Sequence, residues 1–301
     1  MRSTRKYIQD YSLKKIPHQL GTFDEKGIPL YDPSNMGIDK PLCYHPTVII
    51  QYALACFEKI ELDQNYYHKF LNAAQWLEQH TDEIGKTDMI GWSIPFSIRT
   101  PKLDAPWFSA LTQSQGISVL IRFYELEKKK DTLDLLKLLV QPLITDLSAG
   151  GMLYRDGLGN TFFEEAGEIH ILNGCLSCLY GLQEFLMLEK DEKVAKVCKD
   201  VQYTVEKWLP EFDTGFWSKY SVGLRFNISD LHYHHLHINQ LNELGFILHS
   251  HVFLEYARKW NGYLNSNRTL LKFIFGRWLS INVGRALTVL YLNKFKFKNM
   301  V

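Results

Sequence analysis

The sequence predicts an all-α protein of the (α/α) toroid class, with about four helical hairpins and short β-strand segments at one end. Three observations support this prediction. Helical stretches occur in pairs, the pairs begin roughly every 60–68 residues, and Gly-rich aromatic segments separate them. Hairpins repeated at a regular spacing must stack on one another to bury their inner faces. A linear helical solenoid is the alternative, but the aromatic interruptions are long enough to build a site and favour the toroid.

The helices are predicted from apolar residues that recur at i, i+3, i+4 and i+7. Phe70, Ala73, Ala74 and Leu77 form one such stripe. Pro106 marks the start of the third helix, because proline is tolerated in a first turn. The predicted helices lie near residues 46–60, 66–80, 107–127, 131–146, 168–188, 191–208, 236–248 and 251–262.

Strand-like segments are predicted between the pairs, where polar and apolar residues alternate and glycines mark turns. They cover residues 89–96, 150–165 and 214–226. The resulting domain organisation is an extended N-terminal arm over 1–40, the toroid over 41–262, and a basic, apolar helical tail over 263–301.

The tail differs in charge from the rest of the chain. Residues 268–301 contain seven Lys or Arg and no Asp or Glu, whereas the whole chain has a formal net charge of only +1. One interpretation is a peripheral helix on an anionic membrane surface. The other is a helix packed on the toroid with a solvated basic rim. The low net charge predicts no nucleic-acid partner.

The cellular compartment is predicted from membrane spans, a signal peptide and the cysteine count. No run of 18 apolar residues is present, and the first residues lack the apolar core of a signal peptide. The five cysteines are an odd number, which favours reduced thiols. We therefore expect a cytoplasmic protein, peripheral at the inner membrane face if the tail binds lipid.

Two segments of the first half supply candidate substrate contacts. In APWFSALTQSQGISVLIRFYEL, aromatic and amide side chains can contact sugar C–H groups and hydroxyls, although core packing of Trp107 is the alternative. The strand-like segment over 150–165 adds a tyrosine and an arginine. The candidates are Trp107, Gln113, Gln115, Tyr154 and Arg155.

A carboxylate pair follows in FFEEAGEIHILNGCLSCLYGL. Glu164 and Glu165 stand at a predicted strand end, and partial burial would raise a carboxyl pKa enough for acid–base chemistry near neutrality. A solvated turn is the alternative. Cys175 and Cys178 form a C-x-x-C pair, but a metal site would need a second pair. Core packing is expected for both thiols.

Four histidines surround a tyrosine in the segment HYHHLHINQL. Among them, His234 and His237 are three residues apart and can share a helical face. A zinc site would need further ligands that the sequence does not supply, so we predict no metal and no cofactor. A polar wall, in which Tyr233 and the histidines bond a substrate or one another, is favoured.

Taken in order, these segments resemble the C-terminal domain of the D-glucuronyl C5-epimerases. APWFSALTQSQGISVL is similar to the family's PWFSAMAQGQAISVL, HYHHLHINQL to DYHTTHINQL, and YHPTVIIQYAL to YHPVQIAQYAL. The similarity spans about residues 41–262. The family inverts C-5 of glucuronic acid in a polysaccharide, giving iduronic acid. The resemblance implies an isomerase, an acidic polysaccharide as partner, and a homodimer.

The resemblance also assigns roles to individual residues. Its two catalytic tyrosines match Tyr220 and Tyr233, its glutamate matches Glu165, and its asparagine matches Asn227. Its two histidines match His234, taken as a further catalytic candidate, and His237, taken as substrate-binding. Two departures occur. Ala166 stands where the family has tyrosine, and Gly223 stands where it has arginine. Arg225 is close enough in sequence to hold the substrate carboxylate instead.

Three other functions remain open at this point. A uronate lyase would begin with the same proton abstraction. A hydrolase would need a second acid such as Asp230, because adjacent strand residues like Glu164 and Glu165 point to opposite faces. A non-catalytic glycan-binding protein would explain the alanine at position 166.

Overall fold

The computed structural model describes residues 7–9, 11, 22–99, 102–163, 169–223 and 227–278. Contacts between Cα atoms divide the chain into two compact units. Unit 1 comprises residues 1–167 and 177–204, and unit 2 comprises residues 168–176 and 205–301. The predicted toroid over 41–262 includes parts of both units.

Four helical pairs are present in the described residues, as the sequence predicts. The helices are α1 Pro46–Phe57, α2 Gln64–Gln79, α3 Ala110–Glu127, α4 Lys130–Leu139, the short α5 Gln141–Ile144, α6 Leu172–Leu188, α7 Glu192–Phe212, α8 Leu231–Ile247 and α9 His251–Leu264. Within unit 1, α1 packs on α2 and α3; within unit 2, α8 packs on α9.

Short antiparallel strands lie before α1 and in the connections between the later helices. They are β1 Thr22–Phe23, β2 Pro29–Leu30, β3 Asp82–Glu83, β4 Ile90–Gly91, β5 Ser93–Ile94, β6 Ile98–Arg99, β7 Lys102–Leu103, β8 Trp107–Phe108, β9 Leu153–Arg155, β10 Thr161–Phe163, β11 Ile169–Ile171, β12 Lys219–Gly223 and β13 Asn227–Ile228. The pairs are β1–β2, β3–β4, β5–β8, β6–β7 and β9–β10, and β11–β12–β13 form a three-stranded sheet.

Three helix starts differ from the sequence prediction by three residues or more, each for a local reason. Helix α3 begins at Ala110, because Trp107 and Phe108 pair with β5 and Ser109 then caps the helix. Helix α6 begins after β11 rather than at 168. Helix α8 begins five residues before the predicted 236, because Asp230 caps it through the backbone N–H of Tyr233.

Helix α3 forms much of the core of unit 1. Its apolar side chains from Ile117 to Phe123 are almost fully buried, as are Phe70, Ala73, Ala74 and Leu77 of the predicted α2 stripe. A Cβ added at Gly116 would lie 2.2 Å from the Trp92 ring. Only glycine therefore allows the indole to pack this closely on the helix.

The ends of the chain are described in part. Tyr7, Ile8, Gln9 and Tyr11 of the predicted arm are buried in unit 1. Beyond α9, residues 267–278 form a further helix, so the first part of the predicted tail is helical. Residues 279–301 lie outside the described residues.

Candidate active site

The two tyrosines singled out by the sequence lie in direct contact within unit 2. Tyr220 belongs to β12 and Tyr233 to the first turn of α8. Their ring centroids are 4.7 Å apart, with an interplanar angle of 66°. A side-chain hydrogen bond joins the hydroxyls of Tyr220 and Tyr233, and both side chains are half-buried. The two phenols are thus in contact although they are thirteen positions apart in the sequence.

The position of Tyr220 depends on an irregularity in the sheet. Lys219 lies opposite Ile228, and Ser221 lies opposite Asn227. Two steps along β12 therefore correspond to one step along β13, so Tyr220 is the extra residue of a β-bulge. Bulges are frequent beside active sites because they redirect one side chain out of the regular alternation.

The position of Tyr233 depends on the start of α8. The Asp230 carboxylate accepts a hydrogen bond of 2.9 Å from the backbone N–H of Tyr233, which fixes the first turn of the helix. The partial positive charge of a helix N-terminus favours an anion such as a phenolate. The negative charge of Asp230 opposes it.

The pKa of Tyr233 is raised above its ordinary value of 10. Burial is the main cause and the charge of Asp230 adds to it, whereas the hydrogen bond from Tyr220 lowers the pKa. Near neutral pH the Tyr233 side chain is therefore a phenol that can donate a proton. To accept one, it needs a donor or cation that stabilises the phenolate.

A buried polar network joins Ser218, the residue before β12, to two histidines of α8. The Ser218 hydroxyl oxygen is 2.8 Å from His234 Nδ1, 3.0 Å from His237 Nδ1 and 2.8 Å from the Ser229 hydroxyl. The backbone N–H of Ser218 also donates to His234 Nδ1 at 3.2 Å. His234 Nδ1 is therefore an acceptor, and His234 Nε2 donates its proton to the carbonyl of Trp260 at 3.1 Å.

The same contacts assign the tautomer of His237. Two lone pairs facing each other at 2.8 Å would repel, so the Ser218 O–H points at His234 Nδ1. The Ser218 oxygen then accepts from His237 Nδ1–H. His237 Nε2 is left as an unprotonated lone pair, without a hydrogen-bond partner among the residues that the structure describes.

Both imidazoles of this network are neutral near pH 7. Burial is the main cause that lowers the pKa of His234 to about 4 and that of His237 to about 3. His234 also stacks on Trp217, with centroids 3.8 Å apart. The catalytic role predicted for His234 does not fit this geometry, because the ring is fully buried and both nitrogens are bonded. Fully buried as well, His237 is poorly placed for its predicted substrate contact.

The predicted substrate contacts of the first half lie in unit 1. Trp107 is half-buried and donates through Nε1 to the carbonyl of Phe96 at 2.8 Å. Gln113 and Gln115 are each 1% exposed. The amide of Gln113 donates to the Ile90 and Leu139 carbonyls, and that of Gln115 to the Tyr11 hydroxyl. These amide groups donate to acceptors inside unit 1. They are therefore not available for the predicted contact with a sugar.

The remaining candidates are placed as follows. Arg155 is bonded to Asp146 at 2.9 Å and to Asp200 at 3.3 Å, so two carboxylates already balance its charge. Tyr154 is half-buried in β9, and Asn227 is half-buried in β13 beside the tyrosine pair's strand. Glu165 and Arg225 lie outside the described residues. Cys175 and Cys178 are buried in α6, as expected for core packing.

A surface groove in unit 1 has a volume of about 550 Å³ and is lined partly by Tyr44, Trp76 and His80. The aromatic rings in its lining pack on one another. His80 stacks on Trp76 with centroids 4.4 Å apart, and Tyr44 lies 5.2 Å from the same indole. We therefore place the candidate chemistry at the tyrosine pair of unit 2.

Sequence reasoning missed Ser218 and Ser229, the serines of the network. The only local signal is that Ser218 lies two residues before Tyr220 in a strand-like segment. Their pairing across the fold has no signature in the local sequence, because neither serine forms part of a recognisable motif.

Comparison with solved structures defines the class of fold. The chain is similar to cellobiose 2-epimerase from Spirochaeta thermophila, with a TM-score of 0.57 and 11% identity over 81% of this chain and 64% of that one. The corresponding values for cellobiose 2-epimerase from Bacillus thermoamylovorans are 0.53 and 12%, over 73% and 60%. These likenesses confirm the predicted (α/α) toroid class.

Sequence comparison defines the family. The model for the D-glucuronyl C5-epimerase C-terminus matches residues 86–262, and the chain belongs to this family. A D-glucuronyl C5-epimerase of Caenorhabditis elegans is 30% identical over an alignment of 230 residues that covers 68% of this chain and 36% of that protein. An uncharacterised protein of Methanocaldococcus jannaschii is 26% identical over 61% of each chain. The chain thus spans about a third to three fifths of the length of these relatives.

Proposed function

We propose that this protein is an isomerase that inverts C-5 of uronic-acid residues in a polysaccharide, converting D-glucuronyl to L-iduronyl units. The observation that supports this function best is the contact between Tyr220 and Tyr233 in a chain of the C5-epimerase family. The centroids of the two rings are 4.7 Å apart. The substrate is then an acidic polysaccharide. Homodimerisation stays a prediction.

The reaction asks for two proton-transferring groups. One phenolate removes the C-5 proton, and a second phenol delivers a proton to the opposite face of the carbon. The electron pair left at C-5 is delocalised into the adjacent carboxylate, which donors or cations must stabilise. Arg225 is the proposed partner of that carboxylate. After one turnover the two tyrosines have exchanged protonation states, and the hydrogen bond between them offers a path by which the proton returns.

The observed geometry adds a conformational step to this proposal. Two groups that each approach a carbon to about 3–3.5 Å from opposite faces must stand about 6–7 Å apart. Tyr220 and Tyr233 instead lie side by side and are bonded to each other. We propose that the sugar ring enters between the two side chains. Each phenol then gives up its hydrogen bond to the other phenol and contacts the substrate instead. Such side-chain and loop adjustments on binding are common in enzymes.

The test is incubation of the protein with uronic-acid polysaccharides in deuterated water. We expect deuterium at C-5 and iduronic-acid signals in NMR spectra, without a new ultraviolet absorption. Absorption from a carbon–carbon double bond would show a lyase and reject the epimerase. Binding of the polymers without any deuterium exchange would show a glycan-binding protein, as the alanine at position 166 allows.

Single-phenol variants test the pairing itself. If the two tyrosines serve opposite faces, Tyr220→Phe and Tyr233→Phe should each stop inversion, yet each should leave slow deuterium exchange into only one of the two epimers. Exchange into both epimers by either variant would contradict the two-face assignment.

A further inference from the structure

The helix over residues 267–278 exposes an unusual apolar stripe. Its members follow the spacing i, i+3, i+4 and i+7, which places them on one face. Their exposed fractions are 60–69%, high for large apolar residues in a folded protein. The stripe consists of Leu271, Ile274, Phe275 and Trp278.

The opposite face of this helix is held by unit 2. Phe273 stacks on Trp217, with centroids 4.1 Å apart. Arg277 donates to the carbonyl of Ile228, and a Cβ added at Gly276 would meet Ile228 and Phe216 at 2.9–3.3 Å. The helix is therefore docked through one face, and the stripe is directed away from these contacts.

Positive charge accompanies the stripe. Arg268 and Lys272 are exposed one turn apart, beside Leu271 and Phe275. Residues 268–301 contain seven Lys or Arg and no Asp or Glu. The exposed face of the helix is thus apolar and cationic together.

We propose that this face, named here the 268–278 face, binds the surface of an anionic lipid bilayer. Apolar side chains enter the boundary between headgroups and acyl chains, while Lys and Arg attract anionic headgroups. Trp278 suits this boundary, because its ring is apolar and its N–H is polar. A second copy of the chain is a poorer partner, since two cationic faces would repel each other. Among the described residues no helix has the length and apolar character to cross a bilayer.

The experiment is sedimentation of the full chain with vesicles of phosphatidylcholine alone, or of equal parts phosphatidylcholine and phosphatidylglycerol. We expect binding to the anionic vesicles only, and release by high salt. Phe275→Glu should weaken binding by more than about tenfold, because it removes an inserted ring and adds repulsion. Lys272→Glu should weaken it by about fivefold or more, the effect of one basic residue near such a surface.

Matched controls separate this surface from general effects. Leu158 is 83% exposed in unit 1, so Leu158→Glu should leave vesicle binding unchanged, and so should Lys190→Glu. Equal loss in the control variants, or absence of binding by the unchanged chain, would overturn the proposal. Concentration-dependent dimers that Phe275→Glu dissolves, without vesicle binding, would show a second copy as the occupant instead. These outcomes do not depend on catalysis.

Discussion

The two units keep polar groups in their interiors by different means. In unit 1, Arg122 and Glu184 form a buried two-point ion pair at 2.9 and 3.2 Å, with Tyr7 and Phe57 rings 5.5 Å from the guanidinium. In unit 2, the buried groups around Ser218 are neutral. Loss of either partner of the ion pair would leave the other charge buried and unpaired. The neutral network instead requires each imidazole to keep its proton on the nitrogen that donates a hydrogen bond. The ion pair links α3 to α6, and the neutral network links α8 to Ser218, the residue that precedes β12.

The protonation of the two interiors follows from this difference. Burial disfavours the charge of Arg122, but Glu184 outweighs it, so the pKa of Arg122 is raised and the guanidinium stays charged. Burial of His234 and His237 has no opposing anion of comparable effect, so their pKa values fall and both stay neutral. Acid should therefore add charge to the interior of unit 2 at His234 and His237, whereas Arg122 in unit 1 already carries its charge.

The largest effect should come from Tyr233→Phe. Removal of one positioned acid–base group typically lowers the rate by about 100- to 10,000-fold. We expect a loss of this size in epimerisation, with polymer binding retained. Tyr203→Phe, at a 65% exposed position in unit 1, is the matched control and should keep full activity. Equal activity of the two variants would show that the tyrosine pair does not carry out the proton transfer.

The ion pair of unit 1 should show the next largest effect. Arg122→Met leaves the Glu184 charge buried without its partner, and we expect a loss of about 3–5 kcal/mol in the free energy of unfolding. The double variant with Glu184→Met should regain most of this loss, because no charge is left buried. Urea unfolding of the single and double variants measures both. Equal losses in the two would show that the pair is not the source of the stability.

Acid should destabilise unit 2 through its neutral histidines. The folded pKa of His234 lies below the unfolded value of about 6.5, so its contribution is complete above pH 6.5 and is lost as the pH falls towards 4. For a pKa lowered to about 4, the loss reaches about 3 kcal/mol. Hydrogen exchange of α8 peptides between pH 7 and pH 4 measures it.

His45 provides the control for that experiment, because burial also lowers its pKa to about 4, within unit 1. His45→Phe removes this contribution and should leave the acid sensitivity of α8 as it was. Protection of α8 that does not change down to pH 4 would contradict the neutral network.

The smallest effect should come from Asp230→Asn. Asparagine caps a helix as well as aspartate does, so the start of α8 is kept while the negative charge beside Tyr233 is removed. The pKa of Tyr233 should fall only a little, because burial, the larger cause of its rise, remains. The alkaline limb of the pH–rate profile should move to lower pH by the same amount. A shift to higher pH would show that the carboxylate acts mainly through the cap.

Some features of this protein could be predicted from local sequence. The α2 stripe from Phe70 to Leu77 identifies a helix because each turn repeats the same contacts with its neighbours. The interior role of Cys175 and Cys178 followed from the absence of a second pair. The polar character of Gln113 and Gln115, in contrast, predicts a sugar contact, although both amides bond inside unit 1.

The sequence by itself determined the helical pairs, their approximate bounds, the family, and the two tyrosines as candidates, because periodicity and motif are properties of neighbouring residues. Only the tertiary structure decided that the bulge at Tyr220 brings its ring against Tyr233, and that Ser218 assigns the tautomers of His234 and His237. Those outcomes depend on distances between segments that are far apart in the chain. Hydrogen bonds act over about 3 Å, so their partners are chosen only when packing brings them together.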